Sequence, residues 1–198
     1  MRSISKSVSR LSFLSLLTLT LVSCGGTATT VAGVCKVQFW NGSVGLCLPT
    51  GWSVMDRDTL ASRGVPADVV AAFQKDKPDA GQYATITVTK EDLAQPMDSV
   101  AYSKASIQSV ATISGYKQLD LRDTTVDGAA VSIHVFSAQP SPDQPERRFY
   151  QVSAVSGATG FTVTAIAPLS VSADLQKDIL AILGAVTFKE PTAAASSK

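Results

Sequence analysis

The sequence predicts an α+β fold, an antiparallel β-sheet with packed helices. Three observations carry this. Four extended segments follow one another between Tyr116 and Ala167, and strands joined by short turns pair antiparallel. Two stretches with apolar residues at helical spacing interrupt and close that succession, the second after Ser172. The length suits one domain with one core, which buries roughly 70% of its unfolded surface.

The N-terminus carries Arg2, Lys6 and Arg10 with no acid, followed by an apolar run from Leu11 to Val22. A basic stretch before a short apolar one is the pattern of an export signal. The run is too short to cross about 30 Å of hydrocarbon, which takes roughly 20 apolar residues. Leu21-Val22-Ser23-Cys24, with Gly25 and Gly26 behind it, resembles a bacterial lipobox. The resemblance implies cleavage before Cys24, a diacylglyceryl thioether on its sulfur, and acylation of the new amine. The alternative is a plain secretory signal with Cys24 as a disulfide partner. Two or three acyl chains hold a protein stably at a membrane where one does not. The expected organisation is signal peptide 1–23, flexible tether 24–33, one α+β domain 34–189 and a disordered tail 190–198. The expected location is the extracytoplasmic side of a bacterial membrane. Gly25 stands where an Asp would favour inner-membrane retention, so an outer membrane is permitted if the cell has two.

Cleavage removes three of the 17 basic residues and none of the 16 acidic ones, leaving 14 against 16. A near-neutral balance carries no footprint for nucleic acid or an anionic membrane surface. With Cys24 lipidated, Cys35 and Cys47 remain as an even pair in an oxidising compartment. Asn41-Gly42 between them signals a hairpin. A three-residue loop Trp40-Asn41-Gly42, with Gly42 left-handed, sets Cys35 opposite Cys47. A two-residue loop sets Lys36 there instead. A disulfide favours the first register.

Val34–Phe39 and Val44–Leu48 read as the strands of that hairpin, and extended structure resumes at Trp52 after Pro49-Thr50-Gly51. Trp52 reads as a core or rim anchor. Pro66 suits the first turn of a short helix with Val69, Val70 and Phe73 on one face. Ala84–Thr89 alternates Ile86 and Val88 against Thr85, Thr87 and Thr89, a half-buried strand. Asp98 or Ser99 caps a second helix with Val100, Ile107, Val110 and Ala111 along one side, stopped by Gly115. The four strands are Tyr116–Thr124, Ala129–Ala138, Arg148–Val155 and Phe161–Ala167. The first two join at Asp127-Gly128, and three prolines between Gln139 and Glu146 exclude regular structure there. In the closing helix, Ser172 is the N-cap, Asp174 sits in the first turn, and Leu175, Ile179, Ile182, Leu183 and Val186 form one apolar stripe.

Leu48-Pro49-Thr50-Gly51-Trp52 after a strand resembles the opening of the PsbP-like fold. That family includes the photosystem II extrinsic protein and the DcrB and LpqN lipoproteins. Gly115-Tyr116, Gly128-Ala129-Ala130, Gly160-Phe161-Thr162-Val163-Thr164 and a helix before Phe188 follow in the same order. The resemblance spans about Val44 to Phe188 and implies the architecture. The metal and photosystem-docking residues of the plant proteins have no counterparts here.

Motifs for catalysis are sparse. His134 is the one histidine, no G-x-S-x-G occurs, and no phosphate-binding loop or dinucleotide fingerprint is present. His134 reads as a sheet-face residue. The pairs Asp56 and Asp58, and Glu91 and Asp92, read as solvated turn-flanking acids. The expectation is no catalytic residue, no metal and no cofactor. Trp40 at the hairpin tip, and Arg147 and Arg148 beside the proline-rich loop, are the candidate partner contacts. The expected role is that of a membrane-anchored, non-catalytic accessory or protein-interaction module. Its partners would be the membrane, through the lipid anchor, and a cell-envelope protein. A binder of a small apolar molecule or lipid between sheet and helices is the alternative, and a hydrolase centred on His134 the third reading.

Overall fold

A computed structural model describes residues 35–191. The lipobox with Cys24, the leader, the tether 24–33 and nearly all of the tail lie outside the described residues. Among those described, no helix is long and apolar enough to cross a membrane.

The chain opens with a hairpin of β1 (Val37–Trp40) and β2 (Gly45–Leu48). Then come β3 (Trp52–Val54), α1 (Arg57–Ser62), β4 (Val69–Lys75) and β5 (Thr85–Asp92). Helix α2 (Ser99–Val110) precedes four ten-residue strands: β6 (Lys117–Val126), β7 (Ala129–Ala138), β8 (Arg147–Ser156) and β9 (Thr159–Pro168). Helix α3 (Ala173–Gly184) closes the fold. Seven strands form one antiparallel sheet in the order β3-β4-β5-β9-β8-β7-β6, so α2 lies in a crossover between β5 and β6, consecutive in the chain but far apart in the sheet.

Strand alternation divides the sheet into two unlike faces. On one, Ile86, Val88, Ile133, Val135, Tyr150, Val152, Val163 and Ala165 join Leu175, Ile179, Ile182 and Leu183 of α3 in one core. Val44, Leu46 and Leu48 complete it, and the Phe39 and Phe73 rings meet edge to face at 4.9 Å. The opposite face carries Thr162, Ser153 and Ser132 under α2. It binds the helix by hydrogen bonds: Ser153 Oγ to Ser106 Oγ at 2.8 Å, and the Val155 N–H to Ser99 Oγ at 2.9 Å.

The strands are as the alternation predicts at Ile86, Val88 and the threonines between, and β7 has the predicted bounds. In α3 the Leu175 N–H donates to Ser172 Oγ, and the whole predicted stripe is buried, with Val186 just past the helix end. The Asp127-Gly128 turn forms with φ of +50° and +94°, the left-handed pair that two-residue hairpin loops require.

Three expectations are corrected. Val69, Val70 and Phe73 lie in β4, not in a helix. Ala71 and Phe73 face the main core, while Val69 and Ala72 pack with Leu60 of α1 on the other side. A strand buried on both faces reads as a continuous apolar run, which periodicity alone cannot tell from a helix. The helix lies earlier, started by Asp56, whose carboxylate accepts the Thr59 N–H at 2.8 Å. The buried face of α2 is Tyr102 and Ser103, while Val100 is 41% exposed. Over the hydroxyl-lined part of the sheet face the helix buries Tyr102 and Ser103, Val110 packs at its C-terminal end on Phe136, Ala138 and Phe149, and Val100 is left outward. The hairpin loop has four residues, Asn41 to Val44, because Trp40 pairs with Gly45. Cys47 therefore stands opposite Gln38, not Cys35. The Asn41 side chain caps the longer loop by accepting the N–H groups of Ser43 and Val44, both at 3.0 Å, and Gly42 takes φ of +92°. Cys35 and Cys47 are nevertheless joined by a disulfide, with Cα atoms 5.2 Å apart.

Candidate functional site

The outward apolar side of α2 makes a site together with β6. Val100 and Ile107 of α2 face Leu121 of β6 across an open groove of about 620 Å³. Lys104 and Asp123 stand in its walls, and Thr125 and Ala130 lie at the end near the Asp127 turn. Leu121 is 47% exposed, unusual for a leucine in the middle of a ten-residue strand. Strand β6 ends the sheet and has β7 as its one strand neighbour among the described residues, so its outer backbone edge is unpaired. A register shift between Gln118 and Asp120 makes Leu119 a bulge. Beyond it, Leu121 and Asp123 turn toward α2, while Asp120 and Arg122 turn toward α3.

A second, more polar hollow of about 430 Å³ lies where Tyr102 and Ser106 of α2 cross β5, β8 and β9. Gln151, Thr162 and Thr164 form its floor. The Tyr102 hydroxyl meets Thr162 Oγ1 at 3.4 Å. Burial, with Glu91 nearby, pushes the phenol up to about 12, against a smaller downward pull from Thr162.

His134 lies in neither hollow. It is fully buried, its Nε2 is 3.0 Å from the Tyr116 hydroxyl, and its ring stacks 4.8 Å from Phe136, which stacks in turn on Phe149. Burial holds its pKa below the usual histidine value. The imidazole is thus packed among aromatic rings, held by Tyr116 through Nε2, with its Nδ1 buried and without a partner among the described residues.

No family model matches the chain, and no curated protein sequence matches it. Solved structures do. Cyanobacterial PsbP (CyanoP) from Synechocystis sp. PCC 6803 aligns with a TM-score of 0.53 at 11% identity, covering 85% of this chain and 99% of that one. LpqN of Mycobacterium tuberculosis, described as involved in cell envelope biogenesis, aligns at 0.51 with 16% identity, covering 82% and 98%. The Saccharomyces cerevisiae Ran-binding protein Mog1p aligns at 0.51 with 13% identity, covering 77% and 93%. The fold is PsbP-like. At these identities the likeness extends to the architecture alone.

Within this PsbP-like sheet the sequence-predicted contact residues do not meet. Trp40 is half-buried, not a free tip. It is the last residue of β1, and its Cε3 stands 3.1 Å from where a side chain on Gly45 would begin. Arg147 and Arg148, neighbours in sequence, point to opposite faces. Arg147 Nη1 donates to Gln82 Oε1. Arg148 lies with Tyr150 and Gln176 on the α3 side. Trp52 is buried as an anchor, its Nε1 donating to Asp178 at 3.4 Å, and Asp178 also binds Lys75 at 2.7 Å. Asp56 is a helix cap, and the Thr59 hydroxyl and N–H that it accepts hold its carboxyl below the usual range. The groove residues Val100, Ile107 and Leu121 are visible in the sequence only as core positions. An apolar strand that ends a sheet has no sequence signature until the strand order is known.

Proposed function

We propose that this chain is a lipid-anchored cell-envelope protein whose PsbP-like domain works by contact. It would take up an extended segment of an envelope partner along β6. The observation that carries the reading is the open apolar groove beside an unpaired strand edge. A strand added to β6 gains main-chain hydrogen bonds, and its alternate side chains face the groove under α2. Val100, Ile107 and Leu121 supply apolar contact there. The lipobox at Cys24 supplies the anchor in this reading, and tethering raises the effective concentration of the domain near membrane partners. The Cys35–Cys47 bridge suits an oxidising compartment. The part named for LpqN in cell envelope biogenesis is in keeping with it. The groove lies open along one side, which favours a peptide over an enclosed apolar ligand. The buried position of His134 argues against the hydrolase reading.

The test is a photo-crosslinking residue at Leu121 in the full-length protein in cells, with a control at exposed Lys177 on α3. An adduct at 121, absent at 177, is expected to map to an extended stretch of an envelope protein and to disappear with Val100→Glu. Equal adducts at both positions, or an adduct indifferent to Val100→Glu, overturns the reading. In the same cells Cys24→Ala should leave an unlipidated precursor. Continued incorporation of labelled fatty acid would refute the anchor.

A further inference from the structure

A third hollow, a cleft of about 260 Å³, lies on the other face of the sheet between β6, β8 and the start of α3. Its walls are Arg122 and Asp120 from β6, Arg148 and Tyr150 from β8, and Gln176 from the first turn of α3. Two guanidiniums here face one carboxylate. That carboxylate is already engaged: Asp120 accepts Arg122 Nε at 2.6 Å and the Leu121 N–H at 2.8 Å. Arg148 has no ion-pair partner among the described residues, and its Nε is buried without an acceptor. This Nε is closed off from the cleft, so Arg148, which lines the cleft, offers its terminal N–H groups there, with no carboxylate beside them. Burial raises the pKa of the Tyr150 phenol, and a hydrogen bond from Arg148, its charge and the more weakly felt charge of Arg122 lower it, so both cations act on the same wall of the cleft.

We propose that this cleft binds a tetrahedral oxyanion, a phosphate or phosphate monoester. A planar carboxylate is satisfied by the fork of one arginine. Here donors arrive from three elements: the remaining N–H groups of Arg122, those of Arg148, and the amide of Gln176. Oxygens pointing in three directions meet them all. Tyr150, which now donates to Gln176 Oε1 at 3.4 Å, completes the wall. The site is independent of the groove under α2, with α3 and α2 on opposite sides of the sheet.

The experiment is calorimetric titration of the full mature chain in non-ionic detergent at physiological salt, with inorganic phosphate, glycerol 1-phosphate and acetate. Saturable phosphate binding with a Kd below about 1 mM is expected. Arg148→Met should weaken it about tenfold or more, as should the rim variant Arg122→Gln, which alters an exposed side chain and leaves the fold intact. Arg63→Gln, a distant exposed arginine, should change nothing. Binding of inorganic phosphate identifies a free oxyanion. Binding of glycerol 1-phosphate alone, with the same arginine dependence, identifies a headgroup. Silence with both phosphates, an equal response to acetate, or binding indifferent to both Arg122→Gln and Arg148→Met overturns the proposal.

Discussion

Adding one methyl group to β9 tests how α2 is seated. A Cβ on Gly160 would lie 2.5 Å from Tyr102 Cζ and 2.7 Å from its Cε2 and hydroxyl, well inside van der Waals contact. Gly160 sits in regular antiparallel pairing with Glu91 and Val155, so its backbone suits any residue and the effect of Gly160→Ala is steric. The Tyr102 ring must move by about 1 Å to reach ordinary contact. It is 7% exposed, but it borders the polar hollow and can yield in that direction. The move also breaks its contact with Thr162. Overpacking of this kind costs about 1–3 kcal/mol, which for a domain this size lowers Tm by roughly 2–10 °C. Tyr102→Ala alone loses a buried aromatic and should cost about 3 kcal/mol. The double variant removes the clash, so its loss should fall short of the sum by about 1 kcal/mol or more. Denaturant melts of the four proteins measure this. Additivity within about 0.5 kcal/mol would show that Tyr102 does not rest on Gly160, and that α2 is not seated on β9 through this contact.

In α3, Ile179→Asp places an unpaired charge at a position with no solvent exposure and should cost about 3–5 kcal/mol. Exposed Lys177→Asp should stay within about 0.5 kcal/mol, and equal melting temperatures for the two would refute the facing of the helix. Removing the Cys35–Cys47 bridge by Cys47→Ser should lower stability by about 3 kcal/mol; free thiols in peptide maps of the wild type, prepared without reductant, would show that it does not form. His134 makes stability depend on pH. Its folded pKa lies below the unfolded value near 6.5, so the unfolded chain binds the proton more readily. Its stabilising contribution is complete above that value and falls with decreasing pH, by up to about 1 kcal/mol between pH 6.5 and 5.5. As the chain holds one histidine, His134→Gln should flatten the profile in that window, and an unchanged slope would refute the assignment.

The sequence is most legible where local chemistry and burial agree. In α3 the Ser172 cap and the apolar stripe point to the same helix, and the structure buries all of it. Strand β5 is equally clear because its threonines meet a polar face and Ile86 and Val88 an apolar one. Strand β4 mimics a helix because both its faces are covered, one by α1 and one by the core, which erases alternation. The facing of α2 is hidden for a related reason. Much of its partner surface is built of hydroxyls from β7, β8 and β9, so Tyr102 and Ser103 are buried and Val100 is not, while Val110 alone of the expected stripe packs on Phe136 and Phe149. Neither hollow on that side, nor the arginine cleft opposite, can be read from spacing. Arg122 and Arg148 belong to strands separated by β7, and Leu121 meets Val100 only because a crossover brings α2 back over the sheet edge. The bulge at Leu119 hides the rest, since strict alternation would send Leu119 and Leu121 to the same face.

The hairpin sets the path along which mechanical load would travel. Tension on the chain ahead of Cys35 passes through the disulfide into Cys47, so β1 is bypassed and need not peel from β2. Strand β2 is latched to Thr187 by two backbone hydrogen bonds with Gly45, at 2.7 and 3.1 Å. Asp127 holds the Thr187 hydroxyl and the Phe188 N–H, both at 2.7 Å. A pull on the N-terminal side is thus delivered, with little slack, to the turn between β6 and β7. Thr125 and Ala130 flank that turn and form the end wall of the groove under α2. In the oxidised protein the hairpin, the chain after α3 and the end wall of the groove are parts of one linkage. With the bridge reduced, the same force is first spent unzipping β1.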